Sequence, residues 1–241
     1  MSGIEEIAME FYGRGGKRLR PRLCKAAFEV ARNGRGLQSA GGDSGDIDAL
    51  CDAVECFHKA SLIHDDIQDG DEERYGKPTV WKEHGVAVAI AAGDWLVAHG
   101  YSLIVQSGFP NALEMAKATV MSHVALCEGQ GDDLLAAQPA FANDAADGSS
   151  TRSPRSYLSI CERKTGEAFA LAAELGALAA GAESAPYRRY GLDFGVLFQL
   201  RDDFADGEAP EGAAALVDEL AHKLDATPVA KALGAWHRQP A

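Results

Sequence analysis

Two aspartate clusters, Asp65-Asp66-Ile67-Gln68-Asp69 and Asp202-Asp203-Phe204-Ala205-Asp206, share the pattern D-D-x-x-D and lie 137 residues apart (202 minus 65). On a helix, positions i and i+4 share a face. Asp65 with Asp69, and Asp202 with Asp206, therefore each aim a carboxylate pair at one point. Like charges at that spacing repel, and a hard divalent cation removes the repulsion. Mg²⁺ takes oxygen ligands and typically uses one or two carboxylates together with substrate phosphates. The plain alternative for either cluster alone is a solvated acidic helix end. Two copies, each behind an apolar helical run (Ala60 to His64; Phe194 to Leu200), favour the metal.

The residues around the first cluster extend this chemistry. Arg74 follows it, and then a Gly76-Lys77-Pro78-Thr79 turn. Metal plus guanidinium is a diphosphate-binding combination, because the metal bridges phosphate oxygens and arginine adds charge-assisted hydrogen bonds. Near the N-terminus, Gly15-Gly16-Lys17-Arg18-Leu19-Arg20-Pro21 has the form of an anion cradle opening a helix. By itself it also reads as an unliganded basic patch. His58 stands seven positions before Asp65, on a similar helical face; alone it reads as a core histidine.

The elements that position these groups are helices. Apolar residues recur at three and four, and alanine, leucine and glutamate dominate. The pattern predicts helices over roughly 18–33, 46–69, 84–106, 110–137, 154–181, 186–206, 212–223 and 227–236, with no convincing period-2 strand. Asn33 to Gly45 and Phe141 to Pro154 read as loops rather than domain linkers, so residues 1–241 form one domain, an all-α bundle. Net charge is −13, which argues against nucleic acid or an anionic membrane as partner. The five cysteines include no CxxC and read as reduced thiols. No signal-like core and no apolar run of the roughly 18 residues needed for a membrane span is evident, which predicts a soluble cytoplasmic protein.

The ordered set of Gly15-Gly16-Lys17-Arg18-Leu19-Arg20-Pro21, His58 before the first aspartate motif, Gly76-Lys77-Pro78-Thr79, Gly93-Asp94, Gly129-Gln130, Lys164-Thr165 and Phe198-Gln199-Leu200-Arg201 before the second resembles the trans-isoprenyl diphosphate synthases, the polyprenyl synthetase family. The match runs from about residue 13 to 206. The resemblance implies an isoprenoid-synthase-like helical bundle around a central cavity, usually a homodimer. It implies three Mg²⁺ ions, held by Asp65, Asp69 and Asp202 and helped by Asp66, Asp203 and Asp206. It implies that Arg74 grips the allylic diphosphate, that Lys164 and Thr165 stand near the reacting carbon and its leaving group, that Gln199 is the substrate-site glutamine before the second motif, and that Lys17, Arg20 and His58 bind isopentenyl diphosphate. The implied activity is a Mg²⁺-dependent condensation of the two diphosphates into a longer prenyl diphosphate.

Two departures qualify this expectation. The family usually has a second arginine after the first motif, and Tyr75 stands there. Losing a charge-assisted contact to a diphosphate costs about 1.5–3 kcal/mol, roughly ten- to hundredfold in affinity. The family also continues past its second motif with a lysine-containing segment and several helices. Here 35 residues follow Asp206 (241 minus 206), without a lysine in that context. A class I terpene cyclase-like enzyme acting on an allylic diphosphate alone, or a non-catalytic partner subunit of a full-length synthase, are the alternatives that these losses keep open. Ala60 and Ser61, five and four positions before Asp65, are small, with Phe57 about one turn deeper. That arrangement predicts a product longer than C15, such as C20.

Overall fold

The structure is a computed structural model that describes residues 3–34, 45–136, 154–207, 209, 213–234 and 238, without the side chains of 136, 154–156 and 206. Both sequence-predicted loops fall largely outside the described residues. Helices α1 (Gly3–Gly13), α2 (Leu19–Gly34) and α3 (Ile47–Asp69) open the chain. A short hairpin of β1 (Glu73–Arg74) and β2 (Lys77–Pro78) follows, then α4 (Val80–His84), α5 (Val86–Gln106) and α6 (Ala112–Ala136). The second half holds α7 (Pro154–Cys161), a π-helical turn over Glu162–Gly166, α8 (Glu167–Ala179), α9 (Ala185–Asp206), α10 (Ala213–Ala226) and α11 (Pro228–Ala232). The all-α expectation holds, with three details the periodicity did not give: α1, the hairpin and the π turn.

The bundle is built on three long pairings: α3 against α5, α2 against α8, and α8 against α9. Small residues set the spacing. A Cβ at Gly176 on α8 would stand 2.1 Å from the Cys24 carbonyl of α2, so only glycine permits that crossing. Apolar clusters fill the seams. Phe169, Phe194, Tyr190 and Leu197 join α8 to α9, and Leu23 of α2 and Leu224 of α10 close the same core. The Phe169 and Phe194 rings meet edge to face at 5.0 Å. Truncating a buried phenylalanine such as Phe169 to alanine costs about 3–5 kcal/mol.

The two motif helices end alike. Asp46 caps the start of α3 by accepting from the Asp48 and Ala49 amides, and Gly70 ends it in the left-handed conformation (φ 73°). Gly207 ends α9 the same way (φ 76°). Each D-D-x-x-D therefore occupies the last turn of its helix, where the macrodipole is negative and carboxylates are disfavoured.

Helix α5, with 21 residues and a mean hydropathy of 1.4 in its most apolar stretch, has the length and composition of a membrane span, which the core helix of a bundle also has. Its Ala89, Ala92, Leu96 and Ile104 are buried in the bundle, and Asp94 interrupts it.

Candidate active site

A cavity of about 1510 Å³ opens among α2, α3, α5, α6, the π turn and α9. Its rim is polar, with Asp65, Asp133, Lys164, Gln199 and Asp203 among the lining groups. Its depth is lined by groups such as Val54, Phe57, Val97, Leu126 and Leu171. The first and second aspartate motifs thus contribute Asp65 and Asp203 to one cavity.

Asp65 is held well above an ordinary carboxylate, at about 6. Burial is the main cause, Asp69 and Asp66 add repulsion, and Lys164 opposes it. Asp69, one turn further along α3, is exposed, as is Asp202, and neither lines the cavity. The side chain of Asp206 lies outside the described residues. The second motif therefore turns Asp203, not Asp202, into the cavity. Asp203 accepts from Gln199 Nε2 at 2.6 Å and from the Tyr157 hydroxyl. Thr165 Oγ1 donates to Gln199 Oε1 at 2.8 Å, which links the π turn to α9. Burial and the Asp203 carboxylate push the Tyr157 phenol far up, so it stays a donor.

Asp66 is fully buried and faces away from the cavity. Its Oδ1 accepts from Arg74 Nε at 2.5 Å, while its Oδ2 is buried without a partner. Burial outweighs the guanidinium and raises its carboxyl above the usual range. Asp66 orients Arg74, whose other end reaches Asp71 at 3.4 Å.

The π turn presents Lys164 and Thr165 from consecutive positions. A π turn inserts one extra residue into a helix and often marks functional positions. Lys164 Nζ pairs with Asp133 at 2.8 Å, and Arg163 pairs with Asp132, so α6 holds the turn by two ion pairs. A Cβ at Gly129 would stand 2.5 Å from Arg163 Cβ, which explains the Gly129-Gln130 motif as a packing notch. Gly93 is another, since a Cβ there would stand 2.3 Å from His64 Nε2.

Arg20 and His58 also line the cavity, with Arg20 Nη1 3.3 Å from His58 Nε2. Burial pulls Arg20 down to about 10, so it remains a cation at neutral pH, and its Nε is buried without a partner. Burial first, then Arg20, Lys59 and Arg74, hold His58 well below the usual histidine range, hence neutral. Lys17 is exposed and outside the lining.

The cavity floor is aromatic. The Phe57 ring meets Tyr101 at 5.2 Å and His123 at 4.4 Å, and the Tyr101 hydroxyl is 2.8 Å from His123 Nδ1. A Cβ at Gly100 would stand 2.5 Å from Phe57, so glycine makes room for this ring. Burial pushes His123 down to about 4, leaving a neutral floor.

Sequence reasoning missed Asp133, Tyr157 and His123. Asp133 stands one helical turn after Gly129, a motif position it did use, and Tyr157 stands about two turns before Lys164. His123 carried no motif signal.

The donor chemistry at the cavity suits a hard cation: Asp65 and Asp203 bring carboxylate oxygens to it, and burial holds the Asp65 carboxyl up. Among the described residues no group of three or more His, Cys, Asp or Glu is gathered closely enough to hold a metal by itself, and Asp69 and Asp202 stand outside the lining.

The model of the polyprenyl synthetase family matches residues 2–216. A geranylgeranyl diphosphate synthase of Mycobacterium tuberculosis is 34% identical over 230 residues, covering 92% of this chain and 59% of that protein. A short chain isoprenyl diphosphate synthase of Methanothermobacter thermautotrophicus is 33% identical over 196 residues, covering 80% of this chain and 54% of that protein. This chain thus spans a little over half the length of these curated relatives. Among solved structures, a FPP/GFPP synthase of Zymomonas mobilis superposes with a TM-score of 0.78 at 27% identity, over 98% of this chain and 87% of that one. The aspartate motifs at facing helix ends, the cavity between them and these matches lead to one conclusion: the chain belongs to the polyprenyl synthetase family.

Proposed function

We propose that the protein is a single-domain Mg²⁺-dependent prenyltransferase that condenses isopentenyl diphosphate with an allylic diphosphate into a longer prenyl diphosphate. The observation that carries this reading is one cavity lined by acidic and basic groups, among them Asp65, Asp203, Lys164, Arg20 and His58, together with apolar residues such as Phe57 and Leu126. The names of the curated relatives, geranylgeranyl and short chain isoprenyl diphosphate synthases, support it.

Asp65, Asp69, Asp202 and Asp203 would hold Mg²⁺, three ions in all once a diphosphate is bound, with Asp66 and Asp206 assisting. Bound there, Mg²⁺ supplies Lewis-acid stabilisation of the departing diphosphate. The chain's own groups do the rest. Arg74, oriented by Asp66, and Lys164 grip the allylic diphosphate while its C1–O bond breaks. Thr165 and Gln199 fix the geometry beside that carbon through their mutual hydrogen bond. Lys17, Arg20 and His58 bind isopentenyl diphosphate, whose double-bond electron pair forms the new C–C bond before a C2 proton leaves. Neutral His58 accepts or donates without adding charge. The apolar depth takes the growing chain and excludes water from the cation.

The Phe57–Tyr101–His123 floor favours a C20 product, since Ala60 and Ser61 leave the upper cavity open. Exposed Val105, Leu113 and Met121 on α5 and α6, each between 65% and 69% exposed, favour a homodimer through that face. Free thiols at all five cysteines are in keeping with the cytoplasm.

The test is incubation of purified protein with Mg²⁺, isopentenyl diphosphate and a C5, C10 or C15 allylic diphosphate. A longer prenyl diphosphate is the expected product, and its absence in every combination rejects the reading. Tyr75, standing where a second arginine is usual, favours a cyclase-like second reading. Hydrocarbon or alcohol released from an allylic diphosphate alone would establish that one instead.

A further inference from the structure

Lys59 is a cation buried in an apolar run, and no role above uses it. It is 1% exposed. Its Nζ donates to the Arg14 and Gly15 carbonyls, each at 2.6 Å, and lies 4.5 Å from the centre of the Tyr75 ring. Each contact bears on the glycine-rich segment that leads to Lys17 and Arg20. In a trans peptide the N–H points opposite to the C=O. Two carbonyls drawn inward to Lys59 therefore turn the Gly15 and Gly16 amides away from it, as an anion-binding turn requires.

Tyr75 closes the other side. It occupies the first turn position of the β1–β2 hairpin with φ 56°, followed by Gly76 at φ 73°. That pair of positive φ values is a type I′ turn, which a tyrosine adopts only under strain. Packing holds it there. A Cβ at Gly15 would stand 3.2 Å from the Tyr75 ring, and one at Gly16 would stand 3.4 Å from its hydroxyl. The glycines, the phenol ring and the lysine thus form one stack. Around it lie the charges of Glu55, Arg18, Arg20 and Arg74. Arg20 Nε and Glu55 Oε2, both buried, have no partner. The stack therefore borders an incompletely satisfied cationic wall.

We propose that Lys59 is a positioning residue for the diphosphate of the non-allylic substrate: it clamps the Gly15-Gly16 turn from inside, and with the Tyr75 ring capping it replaces the cation that an arginine at position 75 would bring. Lys59 is too buried to touch the ligand and acts through the turn. The lysine also explains the tyrosine. An arginine at 75 would set a guanidinium against a desolvated ammonium, whereas a π face attracts it. The two positions are exchangeable only as a pair.

The inference rests on the proposed condensation, and the test separates the two. Wild type, Lys59→Met, Tyr75→Arg and the double variant are compared by steady-state kinetics in each substrate, with melting curves to verify folding. Lys59→Met raises KM for isopentenyl diphosphate about tenfold and at least several times more than KM for the allylic substrate, because the turn loses the charge-assisted hydrogen bonds that hold it. Tyr75→Arg lowers kcat/KM for isopentenyl diphosphate in the wild-type background and raises it in the Lys59→Met background. Equal effects of Lys59→Met on both KM values, or the same sign for Tyr75→Arg in both backgrounds, overturn the proposal. If Lys59→Met does not fold, Tyr75→Arg decides alone, and improved use of isopentenyl diphosphate overturns it. If the wild type makes no condensation product, the functional reading fails. Calorimetric titration with isopentenyl diphosphate then still decides: binding about tenfold weaker in Lys59→Met supports the clamp, and equal binding rejects it.

Discussion

Replacing Asp65 with asparagine should stabilise the metal-free protein while abolishing turnover. Asp65 is held at about 6 against an ordinary value of 3.8, chiefly by burial, with Asp69 and Asp66 adding to it and Lys164 subtracting. That is about 2 units, or about 3 kcal/mol at 1.36 kcal/mol per unit. The carboxyl borders an open cavity, so water screens part of this, and about 2 kcal/mol is expected. The sign follows from proton counts. Between pH 3.8 and about 6 the folded state binds more protons than the unfolded state, so Asp65 lowers stability as pH rises through that window. Above it the penalty is complete, and below it the penalty is absent. Asp65→Asn should therefore melt roughly 4–8 °C higher than wild type at pH 7.5 without Mg²⁺, using about 2–4 °C per kcal/mol for a chain of this size. The difference should shrink toward zero near pH 4. Mg²⁺ with inorganic diphosphate should raise the wild-type melting temperature and leave the variant nearly unmoved. An Asp65→Asn protein no more stable than wild type at pH 7.5, or one that still turns over, refutes the assignment of Asp65 as a desolvated ligand awaiting a cation.

Two further predictions concern the cavity floor. Phe57→Ala removes a ring about the size of one isoprenyl unit and should shift products beyond C20, because burying five more carbons is worth about 4 kcal/mol at about 0.8 kcal/mol per methylene. It should also cost about 3 kcal/mol of stability; an unchanged product chain length by chromatography of the dephosphorylated products would exclude Phe57 as the floor. His123 is held at about 4, below its unfolded value of 6.5, so the unfolded state binds the proton first and stability falls as pH drops through that window. Its share between pH 7.5 and 5 is about 2 kcal/mol. Urea melts of His123→Gln should lose that much less stability than wild type over the same interval, and parallel losses would show that His123 is not buried neutral.

The helices were legible because their apolar spacing is regular, and the predicted ranges for α2, α3, α6 and α9 agree with the observed ones within a few residues. The features that escaped are those without periodicity. The hairpin rests on a type I′ turn whose first residue is Tyr75, and tyrosine gives no turn signal. The π turn interrupts α7 and α8 inside a continuous helical pattern, and only its fold context reveals that it aims Lys164 and Thr165 together. Motif matching named the aspartates but not their division of labour. Spacing treats Asp202 and Asp203 as neighbours on one helix end, whereas Asp203 faces the cavity and Asp202 is exposed. Likewise Asp65 enters the cavity while Asp66 turns inward to Arg74.

The two departures from the family pattern have different weights once the structure is considered. Neither Lys223 nor Lys231, the lysines beyond the second motif, lines the cavity. Lys223 pairs with Asp193 at 2.9 Å, on the flank of α9 and outside the cavity lining. Under the proposed function, the described residues that offer cations to the allylic diphosphate are Arg74 and Lys164. The substitution at Tyr75 is different, because a buried ammonium lies against its ring and holds the turn that leads to Lys17 and Arg20. The sequence departs from the family pattern once for each diphosphate, and the proposed Lys59 clamp offsets the departure at Tyr75. Loss of Arg74 or Lys164 should then be more damaging here than the loss of Lys17.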